Sequence, residues 1–150
     1  MTVLLTMIHA GVGAVWLGSM IYSLGVVQPR VARLFRDPAA AEDVYRELAA
    51  GNRWRVVALI AMLAGSGAGL VALAGPHADA GWWALIAAKA VLAVVAATAF
   101  WWVSWRGWPA RVFALPAELP ALQRRFRRIA LLMTGLVGLA FVLGEVAAHG

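Results

Sequence analysis

The amino-acid sequence contains no cysteine and few charged residues. Without cysteine, disulfides, thiolate metal sites and thiol nucleophiles are all excluded. Charged residues make up 13% of the 150 residues and hydrophobic residues 63%, whereas soluble domains are about a quarter charged and about half apolar. The polar side chains are too few to cover a water-soluble domain of this size. The composition therefore predicts one domain, residues 1–150, that is embedded in lipid.

The sequence also lacks the local motifs of hydrolases and nucleotide-binding enzymes. It has no nucleophile elbow, phosphate-binding loop, HExxH zinc motif or dinucleotide fingerprint. The net charge of +6 does not indicate nucleic-acid binding, because the arginines are confined to two stretches that membrane topology explains better. These patterns leave the catalytic residues, if there are any, unknown.

Four long apolar runs dominate the chain, at residues 3–27, 54–74, 82–105 and 129–147. Each is near or above the ~20 residues that a helix needs to cross the hydrocarbon core. The first run has no basic residue ahead of it and is too long for the apolar part of a signal peptide, which favours a retained span. We therefore expect an all-α fold, an integral membrane four-helix bundle.

The arginines predict the orientation of this bundle. All twelve lie where spans one and two or spans three and four are joined: Arg30, Arg33, Arg36, Arg46, Arg53, Arg55, Arg106, Arg111, Arg124, Arg125, Arg127 and Arg128. The N-terminal tip, the 75–81 turn and the C-terminal tail contain no lysine or arginine. The positive-inside rule then predicts cytoplasmic arginine-rich loops and both termini outside, in the plasma (inner) membrane of a bacterium.

The first arginine-rich loop has the pattern of a short helix. Asp37 can cap it, Pro38 stands at its first position, residues 39–50 are good helix formers, and Gly51 ends it. A shorter segment from Pro116 to Arg128 is expected to run into the fourth span. An irregular, solvated link is the alternative for both segments.

The chain aligns with itself when it is shifted by 80 residues, which pairs His9 with Lys89, Trp16 with Ala96, and Pro29 with Pro109. A shift of 72 aligns the starts of spans two and four, each with an arginine beside an aromatic residue. This pattern predicts two tandem two-helix repeats related by an axis along the membrane normal. His9 and Lys89 are then expected at equal depth on diagonal or facing helices.

Two ionisable side chains inside the apolar runs are the candidates for chemistry. Lys89 is the only lysine and lies seven residues into span three, about 10 Å along the helix. Such a charge is costly in lipid and indicates function, unless it snorkels or forms a structural ion pair with Glu145. His9 can ligate a metal, carry a proton or bond a neighbouring helix. Trp16 shares its helix face and either lines a cavity or fills the core.

The glycines of spans two and four, and the histidine and methionine side chains of the chain, each allow more than one interpretation. Residues 65–69, together with Gly135 and Gly138, predict either close helix packing or room for a flat ligand. All three histidines fall on the predicted outer side of the membrane. Imidazole and thioether groups are copper ligands, so a candidate metal set consists of His9, Met7, His77 and His149.

Several segments resemble a known family. His9, the VWLG sequence at 15–18 and the QPRVARLF sequence at 28–35 resemble the first helix of the copper-resistance D (CopD) domain family. The arginine-led stretch 54–67 and the stretch 83–89, with its lysine, resemble later helices of that family. The resemblance implies a four-helix membrane domain linked to copper uptake or tolerance. The chain has no Met- and His-rich copper-binding segment.

A more distant resemblance is to the HemJ-type protoporphyrinogen oxidases, through His9, the Trp-x-Gly formed by Trp16 and Gly18, and Lys89. It implies binding of haem b by His9, Lys89 and Trp16, and porphyrinogen oxidation. Three functions remain open: copper handling, a haem oxidoreductase, and a non-catalytic scaffold subunit. Expected partners are the lipid bilayer and a metal ion or haem, with a homo-oligomer as an open alternative and no nucleic acid.

Overall fold

A computed structural model describes residues 2–74 and 79–149, except for the side chain of His149. These residues form helices and no strand, which confirms the all-α expectation. The helices are α1 (Thr2–Tyr22), α2 (Gln28–Leu34), α3 (Pro38–Ala49), α4 (Asn52–Ala72), α5 (Ala80–Trp102), α6 (Trp108–Val112) and α7 (Leu119–His149). Two π-helical segments, Ser23–Val27 and Val103–Gly107, join α1 to α2 and α5 to α6 without a break.

Four of the resulting helices are long and apolar enough to cross a membrane: Thr2–Leu34, Asn52–Ala72, Ala80–Val112 and Leu119–Ala148. Each corresponds to one of the four predicted apolar runs. Large apolar side chains such as Leu4, Val15, Val94 and Leu132 are exposed on these helices. This surface is compatible with contact with lipid acyl chains, which replace water as the solvent of such helices.

The long helices pack as two pairs. Helix α1 packs against α4, α5 packs against α7, and α1 also contacts α7, which joins the pairs. The buried core consists of Trp16, Ala96 and Val137. Trp16 and Ala96 are the residues that the 80-residue shift aligns, so a large side chain in one half lies in the same cluster as a small one in the other. Such large–small complementarity fills a core without voids.

The two π-helical segments lie 80 residues apart, and a proline follows each by two residues. In an α-helix the rings of Pro29 and Pro109 would clash with the carbonyl group four residues earlier. The wider turn avoids this clash, and the N–H groups of Gln28 and Trp108 donate to the carbonyl oxygens of Ser23 and Val103, five residues back. The spacing of this rare feature agrees with the duplicated pattern of the sequence.

The predicted helix of the first arginine-rich loop is confirmed as α3. The Asp37 side chain accepts a hydrogen bond from the backbone N–H of Ala39 at 3.1 Å, and Gly51 follows the helix with φ 71°, a left-handed conformation that favours glycine. The second segment begins at Leu119, so its predicted start at Pro116 is wrong. The Glu118 carboxylate accepts from the N–H of Leu115 at 2.9 Å and holds residues 115–118 in a turn before α7.

Candidate functional site

His9 and Lys89 meet between α1 and α5. The Nζ atom of Lys89 lies 3.2 Å from Nε2 of His9, and both side chains are half-buried. The two residues are 80 positions apart, and their contact agrees with the equal depth that the repeat predicts. The face of α1 that carries His9 continues inward through Gly13 and Trp16, which are both buried. This contact is the centre of the candidate site.

The second ring nitrogen of His9 lies against α4. Nδ1 is 2.8 Å from the hydroxyl oxygen of Ser66, and that hydroxyl donates to the carbonyl oxygen of Met62 at 2.6 Å. A hydroxyl has one hydrogen, so both contacts of Ser66 are satisfied when its oxygen accepts from Nδ1–H of His9. In this tautomer, Nε2 carries the lone pair and accepts from the Lys89 ammonium. Ser66 is 5% exposed, so water does not compete for this arrangement.

Glycines bring the backbones of α4 and α7 close to the two ionisable side chains. A Cβ on Gly67 would lie 3.1 Å from Cε1 of His9, and a Cβ on Gly144 would lie 2.6 Å from Nζ of Lys89. Gly69 packs against Leu5, while a Cβ on Gly65 would meet nothing within 4 Å. The glycines thus favour close packing, but Gly65 and Gly69 do not act as a pair.

Glu145, on α7, adds a negative charge that attracts the Lys89 ammonium through space. The structural ion pair between these two residues stays a prediction. The polar groups of the site therefore come from four helices: Ser66 on α4, His9 on α1, Lys89 on α5 and Glu145 on α7. A neutral imidazole thus lies between a hydroxyl acceptor and an ammonium donor.

Replacing Gly144 with alanine is expected to move Lys89 Nζ away from His9 with little loss of stability, because the end of a lysine side chain is flexible. The ¹⁵N chemical shift of His9 Nε2, measured by NMR on labelled protein, reports the loss of this hydrogen bond. Gly135→Ala on the same helix is the matched control, since a Cβ there would meet nothing within 4 Å. Equal shifts in both variants would contradict the described packing.

Of the four candidate metal residues, Met7 and His9 have side chains within the described structure. Met7 is 67% exposed and stands two residues before His9, about 200° around the helix, so the two side chains diverge. His77 lies outside the described residues, as does the side chain of His149. Within the described part of the chain, no three His, Asp or Glu side chains form a metal-binding group. The available nitrogen ligand is Nε2 of His9.

Two helix backbones border the contact between His9 and Lys89. The backbone of α4 lies against the His9 ring at Gly67, and the backbone of α7 lies against Lys89 at Gly144. Haem binding by His9 and Lys89 stays a prediction. Trp16 is 4% exposed and belongs to the apolar core. Of the two alternatives for this residue, it therefore fills the core and does not line a cavity.

A second polar cluster, at the arginine-rich end, was not predicted from the sequence. Glu42 on α3 and Arg111 on α6 form a buried ion pair, with Nε 2.6 Å from one carboxylate oxygen and Nη2 donating to the other at 2.7 Å. Gln123 on α7 also donates to Glu42 at 3.1 Å. The guanidinium lies 4.9 Å from the ring centre of Phe126. This cluster ties α3 to the second half of the chain.

One backbone carbonyl group in the second π-helical segment accepts a hydrogen bond from an arginine side chain because a proline cannot donate to it. Ser104 lies in the second π-helical segment, five residues before Pro109, which has no N–H to donate. Arg53, at the start of α4, donates to the carbonyl oxygen of Ser104 instead. The guanidinium of Arg53 also lies 4.7 Å from the ring centre of Trp105. Part of the arginine-rich surface is thus structural.

Comparison with protein-family models, with curated proteins and with solved structures found no match to this chain. The function must therefore be inferred from the geometry of the site. Sequence reasoning missed Ser66 as the partner of His9, although it is the only hydroxyl-bearing residue in the glycine-rich stretch 65–69. It also missed the π-helical segments, although Pro29 and Pro109, at matching positions of the two halves, are a signal for them.

Proposed function

We propose that this chain is an integral membrane protein that handles copper, with Nε2 of His9 as a ligand for the passing ion. The four apolar helices cross a bacterial plasma membrane, the arginine-rich loops face the cytoplasm, and both termini lie outside. The distribution of the arginines supports this orientation. The resemblance of the first helix to the CopD family supports copper as the cargo.

The observation that carries the proposal is the hydrogen bond from His9 Nδ1–H to Ser66. Histidines that ligate metals donate their second ring N–H to a neighbouring acceptor, which fixes the tautomer and makes the ligating nitrogen more basic. Imidazole nitrogen is a good ligand for copper. Ser66 thus holds the ring in the orientation that presents the Nε2 lone pair, and this supports a ligating role of Nε2.

Lys89 competes with copper for the same lone pair. Its ammonium lies 3.2 Å from Nε2, so an ion reaches this nitrogen only when the lysine moves aside. The long lysine stem and the charge of Glu145 on α7 allow the ammonium to withdraw while keeping an attractive partner. Lys89 therefore holds the site closed to cations until copper displaces it.

The proposal is tested by Cu(I) binding to the purified chain in detergent, measured by competition with a coloured Cu(I) chelator. We expect the wild-type chain to bind, His9→Ala to lose binding, and Lys89→Leu to bind at least tenfold more tightly because the competing ammonium is gone and no new ligand is added. Met7→Ala is the control and should match the wild type, since Met7 points away from the site.

Two results would overturn the copper proposal. Absence of Cu(I) binding by the wild-type chain would favour the scaffold alternative, in which the polar groups only join helices. A Soret band in the purified protein that disappears in His9→Ala would replace copper with haem.

A further inference from the structure

A cavity of about 550 Å³ lies at the arginine-rich end of the bundle, far along the helices from His9. Both halves of the chain line it. The first π-helical segment contributes Ser23 and Val27, the second contributes Val103, and α7 forms one wall. Because a π-helical turn is wider than an α-helical one, it often occurs at functional sites. Here two such turns border one cavity.

The charge on the cavity wall is positive. Arg124 and Arg127 on α7 line it, and so does Arg111, whose charge is neutralised by Glu42. No acidic side chain is among the lining residues within 2–74 and 79–149. Tyr45 on α3 also lines the cavity; burial raises the pKa of its hydroxyl, which stays neutral and donates to the carbonyl oxygen of Gln28 at 3.3 Å.

The wall formed by α7 changes from charged to apolar along the helix. Arg124, Arg127, Ala130 and Met133 follow one another at three-residue spacing and all line the cavity. Each is a neighbour of the next on the helix surface, and the series turns gradually around α7. Met133 is 7% exposed and marks the inner end. A ligand that matches this wall has an anionic head and an apolar tail.

We propose that this cavity binds an anionic phospholipid, with the phosphate between Arg124 and Arg127 and an acyl chain along Ala130 and Met133. Arginine binds phosphate oxygens through its fork of N–H donors. The cavity lies where the apolar helices meet the arginine-rich loops, which is the depth of lipid headgroups if these helices cross a bilayer. A soluble anion would leave the apolar end of the wall unused.

The test is lipid retention by the purified full-length chain, measured by native mass spectrometry with phosphatidylglycerol, with phosphatidylcholine as the neutral lipid. We expect one phosphatidylglycerol to bind in preference to phosphatidylcholine. The double variant Arg124→Gln, Arg127→Gln should weaken this binding roughly 30-fold, from the contribution of two basic residues to anionic-lipid attraction. Arg124→Lys, Arg127→Lys should bind with an affinity between those of the wild type and this double variant, because it keeps the charge but loses the fork of donors.

Arg125→Gln, Arg128→Gln is the matched control, because it removes the same charge from the same helix outside the cavity lining. Binding by this control close to that of the wild type supports the proposal. Equal weakening in both double variants would show general electrostatic attraction and overturn it. Binding of inorganic phosphate with the same dependence on Arg124 and Arg127, but no retention of lipid, would also overturn it and assign the cavity to a soluble phosphate compound.

Discussion

Arg111→Ala should lower the free energy of unfolding by about 3–5 kcal/mol, the usual cost of leaving one member of a buried ion pair without its partner. Glu42 is 1% exposed, so its charge is not rescued by water when Arg111 is removed. Gln123 still donates to one carboxylate oxygen, but a neutral amide does not balance the charge. Thermal or denaturant unfolding in a fixed detergent, followed by circular dichroism, measures the effect.

Arg106→Ala is the control for this prediction. Arg106 is exposed in the second π-helical segment, and removal of an exposed charge changes stability by about 0.5 kcal/mol or less. The double variant Glu42→Leu, Arg111→Met should recover much of the loss, because no buried charge remains unpaired. Equal unfolding midpoints for Arg111→Ala and Arg106→Ala would contradict the burial of the pair.

Ser66→Ala should weaken Cu(I) binding about 10–100-fold, the range typical for loss of a group that orients a metal-binding histidine. Without the hydroxyl, Nδ1–H of His9 has no acceptor at Ser66. The ring then loses the contact that orients it on α4, and Nε2 becomes a less basic ligand. The chelator competition used for His9→Ala measures the change.

Ser19→Ala is a matched control, since the Ser19 hydroxyl also donates to a backbone carbonyl, that of Trp16 at 2.7 Å, but does not contact His9. The ¹⁵N shifts of the His9 ring without copper give a second measurement, which does not depend on the metal. Altered shifts in Ser66→Ala support the tautomer even if the wild type binds no copper. Unchanged shifts would exclude the role of Ser66 in either case.

The long helices and α3 were predictable because their causes are local. Apolar runs of sufficient length favour helices whatever they pack against. The capping side chain of Asp37, the fixed φ of Pro38 and the positive φ of Gly51 act within a few residues. The prediction failed at Pro116, where a carboxylate three residues from Leu115 forms a turn instead of a helix start.

The repeat predicted that His9 and Lys89 share a depth, and the two side chains are in contact. Other polar contacts were harder to predict from the sequence. Ser66 was hidden because a serine among small residues equally suits close helix packing. Glu42 and Arg111 are 69 residues apart and belong to loops with several exposed charges, so nothing local distinguishes the buried pair from the others.

The sequence by itself determined that the chain forms four apolar helices, joined within each half by an arginine-rich loop, with one histidine and one lysine at matching positions of two similar halves. Hydropathy and helix capping depend on neighbouring residues, and they act before the helices meet. Only the tertiary structure decided which residues contact the two ring nitrogens of His9, which charges are buried as a pair, and where the cavity beside Arg124 and Arg127 lies. These features depend on distances between different helices, and packing sets those distances.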